Sequence, residues 1–439
     1  MTERFRLLLR YVVYNLRGGF LVRPLTIALM LGCIGAFLSW LEESNPAFGN
    51  WVPTVLFLSR ADPQVAQVIL AGIAASIMTV VSIVFAILLM TLTLASMQFS
   101  PRIIVSFARD KVTQWTLGIF LGTFLYCMAA LPAAHSLPQP FSPVATVTGA
   151  MLLAITCVGL LLFFIHHISQ AISVNHIVDR IASETEVVID DVMPWPRGQY
   201  RLELSDRSDL STWDKPVLCD FSGYIRYIDT NRLLDLATTY RVKVRVVRRV
   251  GQFVPVGTPL LMVYKAERLS PEDIVQLQGA FDFGPARTLQ QDIEFGVLQI
   301  VDIALKAISP AVNDPSTAIS CVDHLSRLMI RFTSREMPEP LLYDLKGVAR
   351  VSIRWIDLER LLDSAFEQIR MYSKTDIAVS MRLLRAFGDI AAANQDLTLR
   401  RALLQRAKRV ITGCEHRIEA EELKPMLIRL TALERLTVD

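Results

Sequence analysis

The chain has 439 residues, of which 52% are hydrophobic, and the apolar excess is concentrated before Ser169, which excludes an ordinary soluble enzyme and points to a lipid bilayer. Its 45 basic and 42 acidic residues leave a net charge of +3, too balanced for a nucleic-acid-binding surface. Six cysteines (Cys33, Cys127, Cys157, Cys219, Cys321 and Cys414) are scattered without close pairing, which excludes a disulfide framework and a zinc knuckle.

Residues 1–23 are basic and aromatic. Arginines alternate with Leu8, Leu9, Tyr11 and Val12 between Arg4 and Tyr14, a pattern that suits a helix at the anionic inner membrane interface and equally a solvated basic arm. Residues 24–41 carry no charge and match one bilayer thickness, so they form the first span rather than a cleavable signal. The second span, 64–100, is also free of charge and is longer than the roughly 20 residues a crossing requires, so it tilts or projects. Residues 115–131 and 144–165 are the third and fourth spans, a hairpin joined through Pro132, Pro138, Pro140 and Pro143. Together the four spans make a transmembrane domain over 24–168.

Arg4, Arg6, Arg10, Arg17 and Arg23 flank the first span, and Arg102, Arg109 and Lys111 fill the loop after the second. The loop between has Glu42, Glu43 and Asp62 against Arg60 alone, which predicts cytoplasmic termini. The four spans contain no Asp, Glu, Lys or His, which argues against a proton relay or an ion-coupled pump.

At about 100° per residue, the second span gathers Gly72, Ala75, Ser76, Thr79, Ser82, Ala86, Met90, Thr93, Met97 and Ser100 on one arc of roughly 120°. Val81, Phe85, Leu88 and Leu92 occupy the other side. Such a face either lets neighbouring helices pack closely or, repeated around an axis, lines a path whose hydroxyls replace ion hydration. Gly72, Ser76, Thr79, Ser82, Ala86, Met90, Thr93 and Met97 are therefore candidate pore-lining residues, with Arg102 either a snorkelling anchor or a pore mouth. His166 and His167 close the fourth span, and being adjacent on a helix they do not share a metal.

Residues 169–193 read as a connector helix, with Ile172, Ile177, Ile181 and Val188 at helical spacing until Pro194 and Pro196 stop it. Over 194–268 the pattern changes to strands, first at 222–228 and then through Val242, Val244 and Val246. With the turn-rich run from Val250 to Leu260, this segment is similar to the barrel-sandwich hybrid of lipoyl and biotinyl domains and of membrane-fusion adaptors, which use a Gly-x-x-Val-x-x-Gly turn. It lacks the Met-Lys-Met hairpin of a carrier, so an oligomerising or docking barrel is expected. Arg241, Lys243, Arg245, Arg248 and Arg249 make one basic region, read as a solvated strand face rather than a nucleic-acid site.

From Pro271 onward the apolar positions recur at helical spacing, as at Ile353, Ile356, Leu361, Leu362 and Phe366, which predicts an all-helical domain over 269–439. Its most distinctive run spans 291–318. There Asp314 followed by Pro315 signals a helix start, and Asp292, Glu294, Asp302, Asn313, Asp314 and Thr317 form a candidate motif. Two carboxylates two apart on one helix diverge, so no metal site is assigned. Cys414 with His416 is equally insufficient.

The basic N-terminus, the Gln98 to Arg102 segment after the long span, and the run from Phe295-Gly296 through Asn313-Asp314-Pro315 to Thr317 carry a resemblance over nearly the whole chain. In these the chain resembles the bacterial predicted-membrane-protein family named domain of unknown function twenty-two fifty-four. The resemblance implies an inner-membrane architecture and no particular activity.

The expected fold is thus a four-helix transmembrane domain with a cytoplasmic α+β part. No phosphate loop, Gly-x-Gly-x-x-Gly, Gly-x-Ser-x-Gly or His-Glu-x-x-His motif occurs, so neither an enzyme nor a cofactor is expected. Two functions fit. One is a homo-oligomeric channel or channel-like pore for an ion or small solute, in contact with membrane lipid and lined by the second span. The other is a membrane-anchored scaffold or sensor.

Overall fold

The computed structural model describes residues 22–45, 63–98, 110–134, 141–171, 173–193, 215–415 and 419–438. Residues 1–21 of the basic N-terminal segment, Arg60, Asp62, Ser100, Arg102, Arg109, Pro138, Pro140, Ile172, Pro194, Pro196 and His416 lie outside the described residues, as does the side chain of Met97. The chain divides into two units, Met1–Ser173 and Val174–Asp439.

The first unit contains α1 (Val22–Ser44), α2 (Pro63–Gln98), α3 (Lys111–Ala130, prolonged by a 3-10 turn at Leu131–Ala133) and α4 (Val144–Ala171). Each includes a stretch long and apolar enough to cross a membrane. The 36 residues of α2 extend about 54 Å, against a hydrocarbon core of about 30 Å.

α3 is the hub of this unit. Asp110 caps it, its Oδ2 accepting from the Thr113 amide at 2.9 Å and the Thr113 hydroxyl at 2.6 Å. Gly118 and Gly122 let α1 approach so closely that a methyl on Gly118 would stand 3.0 Å from Ile27 Cβ and 3.1 Å from Pro24 Cα. On Gly122 it would stand 3.0 Å from Leu31 Cβ. Lipid tails are as apolar as leucine, so what holds such helices together is close dispersion contact between small-residue faces. α2 buries Ala66, Leu70, Ala74, Ile77, Val81 and Val84 in clusters shared with Tyr126, Phe120 and Phe164.

One expectation fails in this unit. α1 runs on to Ser44, so Glu42 is helical and only 3% exposed. The carboxylate is tolerated because it answers the free amides at the start of α4. Its Oε1 accepts from Ala145 N–H at 2.8 Å, and its Oε2 from Thr146 N–H at 3.1 Å and the Thr146 hydroxyl at 3.0 Å. Glu42→Ala strands these donors and is expected to cost about 1–3 kcal/mol. A lowered melting temperature of the full chain in detergent, partly recovered by Glu42→Gln, checks this; an unchanged melting temperature would contradict it.

The second unit starts with α5 (Val174–Val192), which buries Ile177, Val178, Ile181, Ala182, Thr185, Val188 and Ile189. That face packs on α8 (Ile293–Ala307) and α9 (Pro315–Thr333). Beside it, arginines four apart on α9 meet acids of α5: Arg327 reaches Glu186 at 2.6 Å and Asp179 at 2.9 Å, and Arg331 reaches Asp190 at 2.5 Å. Arg335, almost fully buried, also donates to Asp190.

The strands are β1 (Lys215–Leu218), β2 (Gly223–Ile228), β3 (Lys243–Val246), β4 (Phe253–Val254), β5 (Pro259–Tyr264), β6 (Phe281–Gly284), β7 (Leu341–Tyr343) and β8 (Ala349–Ser352). Two short helices, α6 (Thr230–Thr239) and α7 (Pro271–Gln278), lie among them. One sheet has the order β1-β5-β3-β8-β7, with β3 and β8 parallel and the other pairs antiparallel; the other has the order β4-β2-β6. Alternating residues such as Val244 and Val246 or Leu261 and Val263, with Ile225 and Ile228 on either side of an irregularity in β2, form their core. The expected strands at 222–228 and around Val242 to Val246 are therefore present, but the described sheets do not close a barrel.

The all-helical expectation beyond Pro271 is corrected as well. β6, β7 and β8 return to the sheets from within that region, and Ile353 follows β8 instead of belonging to a helix. Strands of three or four residues are too short to show a period of two. After α7, the helices of this region are α8, α9, α10 (Leu358–Tyr372), α11 (Ile377–Ala392), α12 (Leu397–Cys414) and α13 (Ala420–Val438). Asp292, Asp314, Asp357, Asp376 and Asp396 cap α8 to α12.

Candidate functional site

Among the described residues of the first unit, nothing covers the face singled out on α2. Gly72, Ala75, Ser76, Thr79, Ser82, Ala86, Met90 and Thr93 are all exposed, while Leu70, Ala74, Ile77, Val81 and Val84 face the bundle. A Cβ built on Gly72 meets nothing within 4 Å. Among the described residues of the first unit, the small residues on this face therefore pack against no other helix. Phe85 and Leu92, read as the opposite side, are exposed too. His166 and His167 diverge as expected: His166 meets Gln170, and His167 Nε2 lies 3.1 Å from Asp110 Oδ2.

In the second unit the motif residues separate into two places. Asp292 and Glu294 come together, contrary to the divergence expected of two carboxylates on one helix. The reason is local: Asp292 is the cap of α8, with φ −108° and ψ 88°, so its side chain is not on the helical lattice. Arg287 bridges them, holding Asp292 at 2.7 Å through Nε and 2.9 Å through Nη2, and Glu294 at 3.2 Å. Glu294 Oε2 also accepts from Arg249 at 3.0 Å, and Oε1 accepts from Arg360 at 2.9 Å and Ser364 at 3.2 Å. Burial opposes the charge on Glu294, but Arg249, Arg360 and Arg287 outweigh it and hold the carboxyl below its ordinary value of 4.5.

This cluster ties together the turn after β3, the start of α8 and the first turn of α10. Gly251 makes it possible: at φ +82° a side chain there would be strained, and its Cβ would overlap Asp292 Oδ2. Gly296 has a similar role one turn along α8, where a Cβ would overlap Thr185 Oγ1 on α5.

The other motif residues lie elsewhere. Asp302 is eight residues beyond Glu294 on α8, about 12 Å along its axis. Asn313 adopts a left-handed conformation, φ 50°, at the turn into α9. Asp314 caps α9, accepting from Thr317 N–H at 3.1 Å and the Thr317 hydroxyl at 2.6 Å. Among the described residues no group of three or more His, Cys, Asp or Glu side chains is placed to hold a metal ion.

Sequence reasoning missed Arg249, Arg287, Arg360, Ser364 and Glu42 as partners. Long-range ion pairs leave no periodic trace. Two signals were legible: the Gly-x-x-x-Gly spacing of Gly118 and Gly122, and the four-residue spacing of Arg327, Arg331 and Arg335.

A family model described as "Predicted membrane protein (DUF2254)" matches residues 17–389, a range that takes in all four apolar helices, both sheets and the arginine–carboxylate cluster. The chain belongs to this family. The DUF2254 chain is 30% identical over 442 residues to Uncharacterized protein Rv1290c of Mycobacterium tuberculosis (strain H37Rv), covering 98% of this chain and 82% of that protein. The same identity and coverage hold for Uncharacterized protein Mb1321c of Mycobacterium bovis. No solved structure matches the DUF2254 chain.

Proposed function

We propose that this membrane protein is a homo-oligomeric, channel-like pore of the bacterial inner membrane, with cytoplasmic termini, a path lined by α2, and no enzymatic activity. The observation that carries the proposal is the face of α2 left uncovered by the described residues, where Ser76, Thr79, Ser82 and Thr93 are exposed over about five turns. Copies set around an axis bring that face together, with hydroxyl oxygens to replace ion hydration and Met90 as an apolar constriction. The second unit, with its buried arginine–carboxylate cluster, is the regulatory part in this reading. Arg23 at one end of α1, with Glu42 and Glu43 at the other, fits cytoplasmic termini.

Planar-bilayer recording of the purified full chain tests the proposal. Conductance is expected, and Thr79→Arg should abolish it or reverse its charge selectivity; absence of conductance under every voltage, tension and pH would overturn it. One observation favours the scaffold or sensor reading. Thr79, Ser82 and Thr93 each donate to a carbonyl four residues back, at 3.1, 3.0 and 2.8 Å, so the face tolerates lipid without a partner. A bundle that stays sealed in flux assays, together with a partner that binds the second unit, supports that reading.

A further inference from the structure

The arginine–carboxylate cluster borders a cleft of about 40 Å³, room for about three water molecules. Its wall is formed by Val192 of α5, Ile228 of β2, Arg249 in the turn after β3, the start of α8, and Arg354 and Trp355 between β8 and α10. Most of this surface is apolar, so its few polar groups decide what it holds.

The acceptors in the wall are nearly all occupied. Glu294 accepts two hydrogen bonds on each oxygen, from Arg360 and Ser364 and from Arg249 and Arg287. Asp292 accepts from Arg287 on both oxygens and from the Phe295 amide on Oδ1. Gln291 is engaged with the backbone of Ile228 through both ends of its amide.

The donors are not occupied in the same way. The Arg249 side chain is only 11% exposed, yet among the described residues its guanidinium makes one hydrogen bond, from Nη2 to Glu294. Arg354 is exposed and has no hydrogen-bond or ion-pair partner among the described residues. Four guanidiniums (Arg249, Arg287, Arg354 and Arg360) face two carboxylates (Asp292 and Glu294), leaving two positive charges in excess. Unmet donors with surplus positive charge select an anion, and the planar guanidinium fork suits an oxyanion.

We propose that this cleft binds a phosphate-sized oxyanion against Arg249 and Arg354, either as inorganic phosphate or as the phosphate of a larger molecule. The cleft has room for the oxyanion and opens to solvent, where the rest of a larger molecule would extend. Trp355, whose Nε1 is fixed by donating to the Glu339 carbonyl at 3.2 Å, leaves an apolar rim for whatever an ester carries. The site stands whether or not α2 lines a pore.

Hydrogen exchange at 291–294 and 353–356, measured on the full chain in nanodiscs at constant ionic strength, tests the proposal and separates the two sources. Protection by inorganic phosphate in phosphatidylcholine discs assigns a free anion. Protection only when phosphatidic acid is added to the discs assigns a lipid head group. In either case Arg354→Gln should weaken the effect about tenfold, while Arg385→Gln on α11, outside the cleft, leaves it unchanged. Protection by neither, or protection equal in Arg354→Gln and the native chain, overturns the proposal.

Discussion

Glu294→Gln is expected to lower stability by about 3 kcal/mol, because Asp292 still balances Arg287 but Arg249 and Arg360 lose the carboxylate that pairs them. Arg249 is only 11% exposed, so water compensates it poorly. Arg360, 54% exposed, loses less. At about 2–4 °C per kcal/mol for a unit of this size, the melting temperature of the full chain in detergent should fall by roughly 10 °C. Hydrogen exchange should rise first at the start of α8 and in the first turn of α10, which this carboxylate joins. A shift within 2 °C would show that the cluster is a surface feature in energetic terms.

The same residue gives a pH dependence with a defined sign. Its folded carboxyl lies below the ordinary value of 4.5, so its stabilisation is complete above pH 4.5 and is lost as pH falls through the lower, folded value. In Glu294→Gln that acid limb of the melting-temperature profile should flatten. Retention of the full limb in the variant would assign it to other carboxylates, such as Asp190 under its arginine pair.

Gly296→Ala sets two effects of opposite sign against each other. Alanine inside a helix gains about 1 kcal/mol over glycine. Here the new methyl would stand 2.8 Å from Thr185 Cγ2 and 2.9 Å from Thr185 Cβ, besides overlapping Oγ1. Turning the threonine side chain does not relieve a clash with its Cβ, so the two helix backbones must separate, and overpacking of this kind costs about 1–3 kcal/mol or more. The clash wins, with an expected net loss of about 1 kcal/mol or more and faster exchange along α5. Gly388→Ala on α11, where a Cβ meets nothing within 4 Å, is the control and should raise the melting temperature. If both substitutions stabilise, α5 is not held by this contact.

The arrangement of these effects accounts for what could be read in advance. Apolar runs of about 20 residues, the helical spacing of Ile177, Ile181 and Val188, and the alternation through Val242, Val244 and Val246 are local patterns, repeated along the chain because each element buries one face. The cap at Asp314 is local as well, since a carboxylate three residues from a free amide needs no other part of the fold. The uncovered face of α2 was visible as a stripe, but its exposure depended on where α3 and α4 packed. Glu42 looked like a loop residue beyond the span until the amides at the start of α4 gave it a place inside the bundle.

By itself, then, the sequence determined the four apolar helices, the long two-faced α2, the change to strands after α5 and the helical character of α8 to α13. Each of these follows from periodicity within a single element. Only the tertiary structure decided that β6, β7 and β8 join the sheets, that Asp292 and Glu294 converge, and that Arg249, 45 residues away from Glu294, and Arg360, 66 residues away, meet that carboxylate. Charge pairing and strand pairing across such separations are selected by the free energy of the whole packed unit. They impose no period on the residues between.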